Sequence, residues 1–188
     1  MGITLIACTE INGGIGDNEN NLLFDLPRDR KHFMSATSGK VVVMGRKTWD
    51  SLPDDKRPLP KRKNYVLTRD LDWSAKGAKT VHSVREVLEL AKTRDVFIIG
   101  GGEIYEQFMP HADRLIMTHV HTVHFDARVF FPEIDVRQWH LVHAQKNEED
   151  EKHPHEFTFA TYTRRTDDKP ELGKMIEVEM VKENQENN

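Results

Sequence analysis

Cysteine is almost absent: Cys8 is the only one in 188 residues. No disulfide can close within the chain, and no cysteine-based zinc site can form. The composition fits a reducing compartment, so a cytoplasmic location is expected. Long apolar runs are missing too, and none approaches the ~18 residues that span a bilayer. The start lacks the basic residues and extended apolar stretch of a secretory leader, although Leu5-Ile6-Ala7-Cys8 faintly resembles a lipoprotein cleavage site. Ile6 stands where a myristoylation signal needs Ser or Thr. A basic surplus is also lacking. The formal net charge is -4, and residues 166–188 carry all of it, so the rest nets zero. A neutral body has no broad electrostatic reason to seek nucleic acid or an anionic membrane. Neither is expected as a partner, and a monomer acting on a small molecule is the expected state.

What is present is a series of short apolar blocks separated by turn signals. The length suits one domain with a single core. Apolar runs predict buried strands over 3–9, 41–44, 64–68, 96–99 and 115–120. Helices are predicted from Pro27 through 28–35, from near Thr48, over 83–92 and over 103–108. Residues 139–144 and 157–163 read as a late hairpin-like pair joined by a charged surface loop over 147–155. Residues 13–21, opening on Gly13-Gly14-Ile15-Gly16, read as a flexible loop. Strands alternating with helices predict a single-domain α/β fold. Its central twisted sheet is mostly parallel, flanked by helices, with an antiparallel C-terminal edge. The domain is placed at 1–165. The acidic extension at 166–188 is read as either an edge strand around 175–181 or disorder.

Three constellations carry chemistry. Gly100-Gly101-Gly102 sits between a strand and a helix, where the backbone can pass close to a ligand and free N–H groups suit a pyrophosphate. It is not the dinucleotide fingerprint, because Tyr105 occupies the third glycine position. Gly45-Arg46-Lys47-Thr48 also follows a strand. A phosphate-binding P-loop would need Gly at 41 and 46, where Val41 and Arg46 stand, so what remains is two cations at a strand-to-helix junction. Arg69 adds a third after another strand. Strand ends on one side of a parallel sheet are close in space, so three cations can gather around a phosphate. In the third, Asp29 and Phe33 share a helix face, placing an acid beside a large aromatic. The alternatives are a tight glycine turn, a solvated basic turn, and an acid placed to suit the helix dipole.

In order and spacing these fragments resemble dihydrofolate reductase. The pieces that carry the likeness are Leu5-Ile6-Ala7, Gly14-Ile15-Gly16, Leu26-Pro27-x-Asp29-x-x-x-Phe33, Val43-Met44-Gly45-Arg46-Lys47-Thr48-Trp49, Leu59-Pro60-x-Arg62-x-Asn64, Ile99-Gly100-Gly101-Gly102-x-Ile104-Tyr105, Leu115-x-x-Thr118 and Phe131-Pro132. The resemblance implies reduction of 7,8-dihydrofolate with NADPH, in support of one-carbon and thymidylate metabolism. It implies that Asp29 is the ionisable group in the pterin pocket, supported by Thr118. Ile6, Ala7, Phe33 and Ile99 would line that pocket, and Arg62 would clamp a carboxylate of the glutamate tail. On the cofactor side it implies Arg46, Thr68 and Arg69 at the 2′-phosphate. Gly45, Lys47, Thr48 and the run Gly100, Gly101, Gly102, Glu103, Ile104 and Tyr105 would lie along the pyrophosphate. Cys8, Ile15 and Gly16 would sit at the nicotinamide. No metal is implied.

The chain also departs from the family pattern. Leu22-Leu23-Phe24 stands where Leu-Pro-Trp is usual, so Phe24 takes the place of an indole that holds an active-site water. The loop over 16–22 is about one residue longer. Arg128-Val129 replaces a common Asp-Thr pair, so a loop-supporting hydrogen bond is expected to be absent or moved. His119, His121 and His124 read as a polar strand face, and Trp49, Trp73 and Trp139 as packing residues. Two other readings remain: a reductase of another pterin or of a pyrimidine precursor, and an inert relative that binds without turnover.

Overall fold

The computed structural model describes residues 1–165; the predicted extension at 166–188 lies outside the described residues. Ten strands and four helices follow one another. They are β1 (Gly2–Thr9), β2 (Gly14–Gly16), α1 (Pro27–Thr37), β3 (Val41–Gly45), α2 (Arg46–Ser51), β4 (Lys63–Leu67) and β5 (Ala78–Val81). After them come α3 (Val84–Ala91), β6 (Asp95–Ile98), α4 (Gly102–Phe108), β7 (Arg114–Val120), β8 (Val129–Phe130), β9 (Trp139–Asn147) and β10 (Phe157–Arg164). Eight strands form one sheet in the order β5-β4-β3-β6-β1-β7-β10-β9. Neighbours from β5 to β7 pair parallel; β10 pairs antiparallel with both β7 and β9. The α/β architecture with an antiparallel C-terminal edge is therefore as expected.

The central strands are buried on both faces, as covered parallel strands should be. In β3, Val41 and Val43 point into one core and Val42 and Met44 into the other. The first core takes Val87 from α3 and Ile104, Tyr105 and Phe108 from α4. The second takes Trp49 from α2 and Phe33 and Ala36 from α1. All three tryptophans pack: Trp49 meets Trp73 edge-on at 6.2 Å, and the Arg164 guanidinium lies 4.4 Å over Trp139. No helix of the described residues is long and apolar enough to cross a membrane.

Several details differ from the sequence reading. Residues 14–16 are a short strand paired with β8, because Arg128 N–H donates to Gly16 O at 2.9 Å and Phe131 N–H to Gly13 O at 2.8 Å. Asp17 organises the rest of that loop: its Oδ1 accepts from the backbone N–H of Glu19 and Asn21 at 2.8 and 2.9 Å. Asn20 turns the chain at φ 66°, a conformation asparagine tolerates. The segment after Gly16 is thus a side-chain-capped turn. Helix α2 starts at Arg46, directly after β3, and β9 runs on to Asn147. Strand β5 was not anticipated. Its Ala-Lys-Thr-Val sequence has no apolar run, and it lies at the sheet edge.

One buried side chain fixes the approach to β4. Asn64 is 4% exposed. Its Oδ1 accepts from Leu59 N–H at 3.0 Å, and its Nδ2 donates to Leu59 O at 2.9 Å and Arg62 O at 3.2 Å. Asn64→Ala orphans both backbone groups of Leu59, and we expect a loss of about 2–4 kcal/mol in unfolding free energy. Denaturant titration measures it, and a loss below about 0.5 kcal/mol contradicts this account of the loop.

Candidate active site

Brought side by side by the parallel sheet, the C-terminal ends of β1, β3, β4, β5 and β6 face a common opening, where ligands of open α/β sheets bind. A cleft of about 820 Å³ occupies it. Its wall includes Ala7 and Cys8 from β1, Gly45 to Thr48 after β3, Thr68 and Arg69 after β4, and Ile99 to Tyr105 after β6. Every residue assigned to the cofactor side by the sequence lines it, with Ile15 and Gly16 contributed by β2.

The cleft is apolar at one end and cationic at the other. Arg46 is exposed and pairs with Asp70 at 3.2 Å; Lys47 and Arg69 are exposed nearby. Asp70 and Glu103 also line the wall, so it is not uniformly positive. The glycines let the backbone come close. A Cβ on Gly102 would stand 2.9 Å from Val129 Cγ1 and 3.1 Å from Phe130 O, and one on Gly45 would stand 3.0 Å from Ile104 Cγ1. Gly100 adopts φ 120°, which side chains avoid, and packs on the Tyr105 ring. Tyr105 donates from its hydroxyl to Ile6 O at 2.7 Å, leaving that carbonyl a second lone pair.

Beside the cleft, a side-chain bond ties α1 to β7. Thr118, paired in register with Cys8, donates its hydroxyl to Asp29 Oδ1 at 2.6 Å. Burial pushes the Asp29 carboxyl above its ordinary value; the Thr118 bond and the nearby His32 oppose this without overcoming it. The same burial, reinforced by Asp29, pushes the Cys8 thiol well up, which is unfavourable for a nucleophile. One turn on from Asp29, the half-buried Phe33 ring carries the Arg62 guanidinium 5.4 Å from its centre. Arg62 Nε donates to Thr37 Oγ1 at 2.8 Å, and burial draws that guanidinium below its ordinary value.

Of the predicted substrate-side residues, Ala7 and Ile99 border the cleft; Asp29 and Thr118 form one unit and Phe33 and Arg62 another. Phe24 is not in the cleft wall. It packs in a third cluster with Leu26, Val120 and Phe157, beside Cys8, with His124 and His155 edge-on at 5.6 and 6.4 Å. The three histidines do not converge: His119 bonds Thr9 and Tyr162, His121 bonds Thr158, and His124 meets Phe24. Sequence reasoning missed Glu10. This carboxylate is 2% exposed. Its Oε1 accepts from the N–H groups of Asn12 and Gly14 at 2.9 and 2.8 Å. It therefore clamps the loop leading to Ile15 and Gly16. It also missed His82 and Ser83, which reach the cleft at the end of the unanticipated β5.

With this geometry in view, the likeness to known proteins is direct. A sequence model described as dihydrofolate reductase matches residues 2–164. The chain belongs to the dihydrofolate reductase family. It is 38% identical over 168 residues to a dihydrofolate reductase of Bacillus subtilis, covering 89% of this chain and 97% of that one. A Haemophilus influenzae relative of the same name is 35% identical, with 88% and 100% covered. Among solved structures, a dihydrofolate reductase from Enterococcus faecalis complexed with NADP(H) and RAB-propyl superposes with a TM-score of 0.81 at 34% identity, covering 88% of this chain and 97% of that one.

The raised Asp29 value has a stability consequence. Below the ordinary carboxylate range, Asp29 is protonated in folded and unfolded chains alike and costs nothing. As pH rises through that range, the unfolded chain releases its proton first, so stability falls until the pH passes the raised folded value. Asp29→Asn removes the penalty and keeps an acceptor for Thr118. The variant should melt higher than wild type at neutral pH, with the gap closing in acid. Thermal melts at both pH values check this, and a variant less stable at neutral pH contradicts it.

Proposed function

We propose that this chain reduces 7,8-dihydrofolate to tetrahydrofolate with NADPH. The observation that carries the reading is the Asp29–Thr118 pair, a part-buried carboxylate held beside Cys8, which lines a dinucleotide-sized cleft. The residues present fit such a cofactor. Its phosphates need cations and hydroxyls, and Arg46, Lys47, Thr48, Thr68 and Arg69 supply them. Its nicotinamide needs a flat, dry surface, and Ala7, Cys8, Ile15 and Gly16 supply that. The close backbone at Gly101 and Gly102, where a Cβ would fill space, suits a pyrophosphate. When bound, NADPH supplies the hydride for pterin C6, and N5 of the same ring takes a proton.

The chain's own residues supply position and charge. Ionised Asp29 accepts from the pterin amino group and ring N–H, a charge-assisted pairing that fixes which ring face meets the nicotinamide. Thr118 holds that carboxylate in one rotamer. Ile6 O, with its free lone pair, and Ile99 O accept from the same amino group. Phe33 packs on the ring system, and Arg62, braced by Thr37, meets the glutamate tail through its free guanidinium nitrogens. The N5 proton travels through ring and water rather than directly from Asp29. Phe24, which has no N–H to hold a water, leaves that network to Asp29 and Thr118. Arg62 and Asp29 together favour folate over a pyrimidine precursor, because one suits a glutamate tail and the other a pterin edge. A location in the cytoplasm and a monomeric state complete the proposal.

Dihydrofolate-dependent NADPH oxidation tests it, followed by the loss of nicotinamide absorbance. Asp29→Asn should lower the rate by about 10²-fold or more. Binding of both ligands without turnover favours the inert-relative reading. Arg46→Ala combined with Arg69→Ala should raise the KM for NADPH by about tenfold and leave that for NADH unchanged. Equal effects on both cofactors sink the phosphate assignment.

A further inference from the structure

Helix α1 carries Asp29 at its third position, yet nothing local caps it. Leu26 occupies the N-cap and makes no side-chain hydrogen bond; Pro27 at the first position has no N–H. The first free donor, Arg28 N–H, is met from a distant part of the chain. It donates to His153 Nε2 at 3.1 Å, across a separation of 125 residues. His153 lies in the turn between β9 and β10 and is only 3% exposed. Its Nδ1 is 2.7 Å from Asp150 Oδ1. That bond fixes the tautomer: Nδ1–H donates to the carboxylate and Nε2 keeps its lone pair for Arg28. Asp150 also pairs with the Arg28 side chain, and its own backbone bonds both ways with His153. The His153 ring leans on buried Phe157, which shares its cluster with Leu26.

We infer that His153, oriented by Asp150, is a positioning residue for the reaction: it caps α1 and so fixes Asp29 against Thr118. This inference rests on the role given to Asp29 above. The argument is geometric. Asp29 follows Arg28 directly, so a frayed first turn moves the carboxylate off Thr118 before it disturbs anything else. Apart from Cys8, which packs against the cluster that holds Leu26, the residues of the cofactor cleft belong to elements that the cap does not touch.

Two substitutions separate the two ring nitrogens. The amide oxygen of Gln reaches about as far as Nε2, so His153→Gln keeps the acceptor for Arg28. His153→Asn keeps only a group near Nδ1 and loses the acceptor. In steady-state and single-turnover assays, His153→Asn should raise the KM for dihydrofolate and slow hydride transfer, together by on the order of five- to tenfold, with the KM for NADPH unmoved. His153→Gln should restore most of the loss. Melting curves establish that both variants are folded at the assay temperature. Amide hydrogen exchange at Arg28 to Lys31 reads the cap without turnover, and should accelerate in Asn and stay slow in Gln. The inference is overturned if Asn and Gln behave alike, or if the KM for NADPH moves as far as that for dihydrofolate in folded protein. It is equally overturned if exchange in Asn matches wild type. A wild type without turnover whose exchange follows the expected pattern leaves the cap intact and removes the reading of Asp29 instead.

Discussion

A single hydrogen bond, from the Thr118 hydroxyl to Asp29 Oδ1 at 2.6 Å, joins the helix that carries the acid to the strand that supports it. Much of the architecture serves that contact. Thr118 faces Cys8 across one strand pair and Phe159 across the other, so β1 and β10 both fix its position. Strand β1 lies between β6 and β7, and the Ile6 carbonyl it presents is held by Tyr105 from α4. Moving any of these elements by a residue would turn an inward side chain outward and dissolve the pair.

The contact carries a cost that the rest of the fold offsets. A carboxylate taken partly out of water favours its neutral form, so the site is less stable at neutral pH than a hydrocarbon would be. One hydroxyl cannot repay this, and the Asp29 carboxyl indeed stays above its ordinary value. The compensation lies in the two cores on either face of the sheet, where residues such as Leu5, Val42, Val43 and Ile98 are fully buried. Such burial supplies stability in excess of what the site consumes. A chemically useful but locally unfavourable group can therefore persist on an otherwise well-packed scaffold.

What the sequence made legible was local. Gly100-Gly101-Gly102 after an apolar run, the cations after β3 and β4, and Asp29 four residues before Phe33 each carry their physical reason within a few positions. The residues assigned to the cofactor side from sequence accordingly all line the cleft, although they do not make up its whole wall. Contacts made across long separations were not legible. Strand β2 reads as a glycine loop because its partner, β8, lies more than a hundred residues on. Strand β5 is an edge strand whose pairing with β4, rather than its own polarity pattern, makes it a strand, and so His82 and Ser83 were missed. Nor could sequence decide between burial and the helix dipole at Asp29, since the burial depends on where β7 and β10 end up.

The departures from the family pattern are better understood as relocations than as losses. Arg128-Val129 has no carboxylate to offer the loop around Gly14 to Gly16. Yet Arg128 and Phe131 hold that loop through their backbone N–H groups, which every residue but proline retains. The carboxylate that does support it is Glu10, at the end of β1, satisfied by Asn12 and Gly14. Gly14 is the glycine this arrangement requires, because a Cβ there would meet Ala127 Cβ at 2.6 Å and Glu10 Cγ at 3.0 Å. The cap of α1 likewise comes from a distance: Leu26 offers none, and a histidine on a remote hairpin turn meets Arg28 N–H. In both places the polar group that orders the segment lies outside it. Loop and helix are therefore tied to the sheet, which is the part of the molecule that fixes Ile15, Gly16 and Asp29 relative to one another.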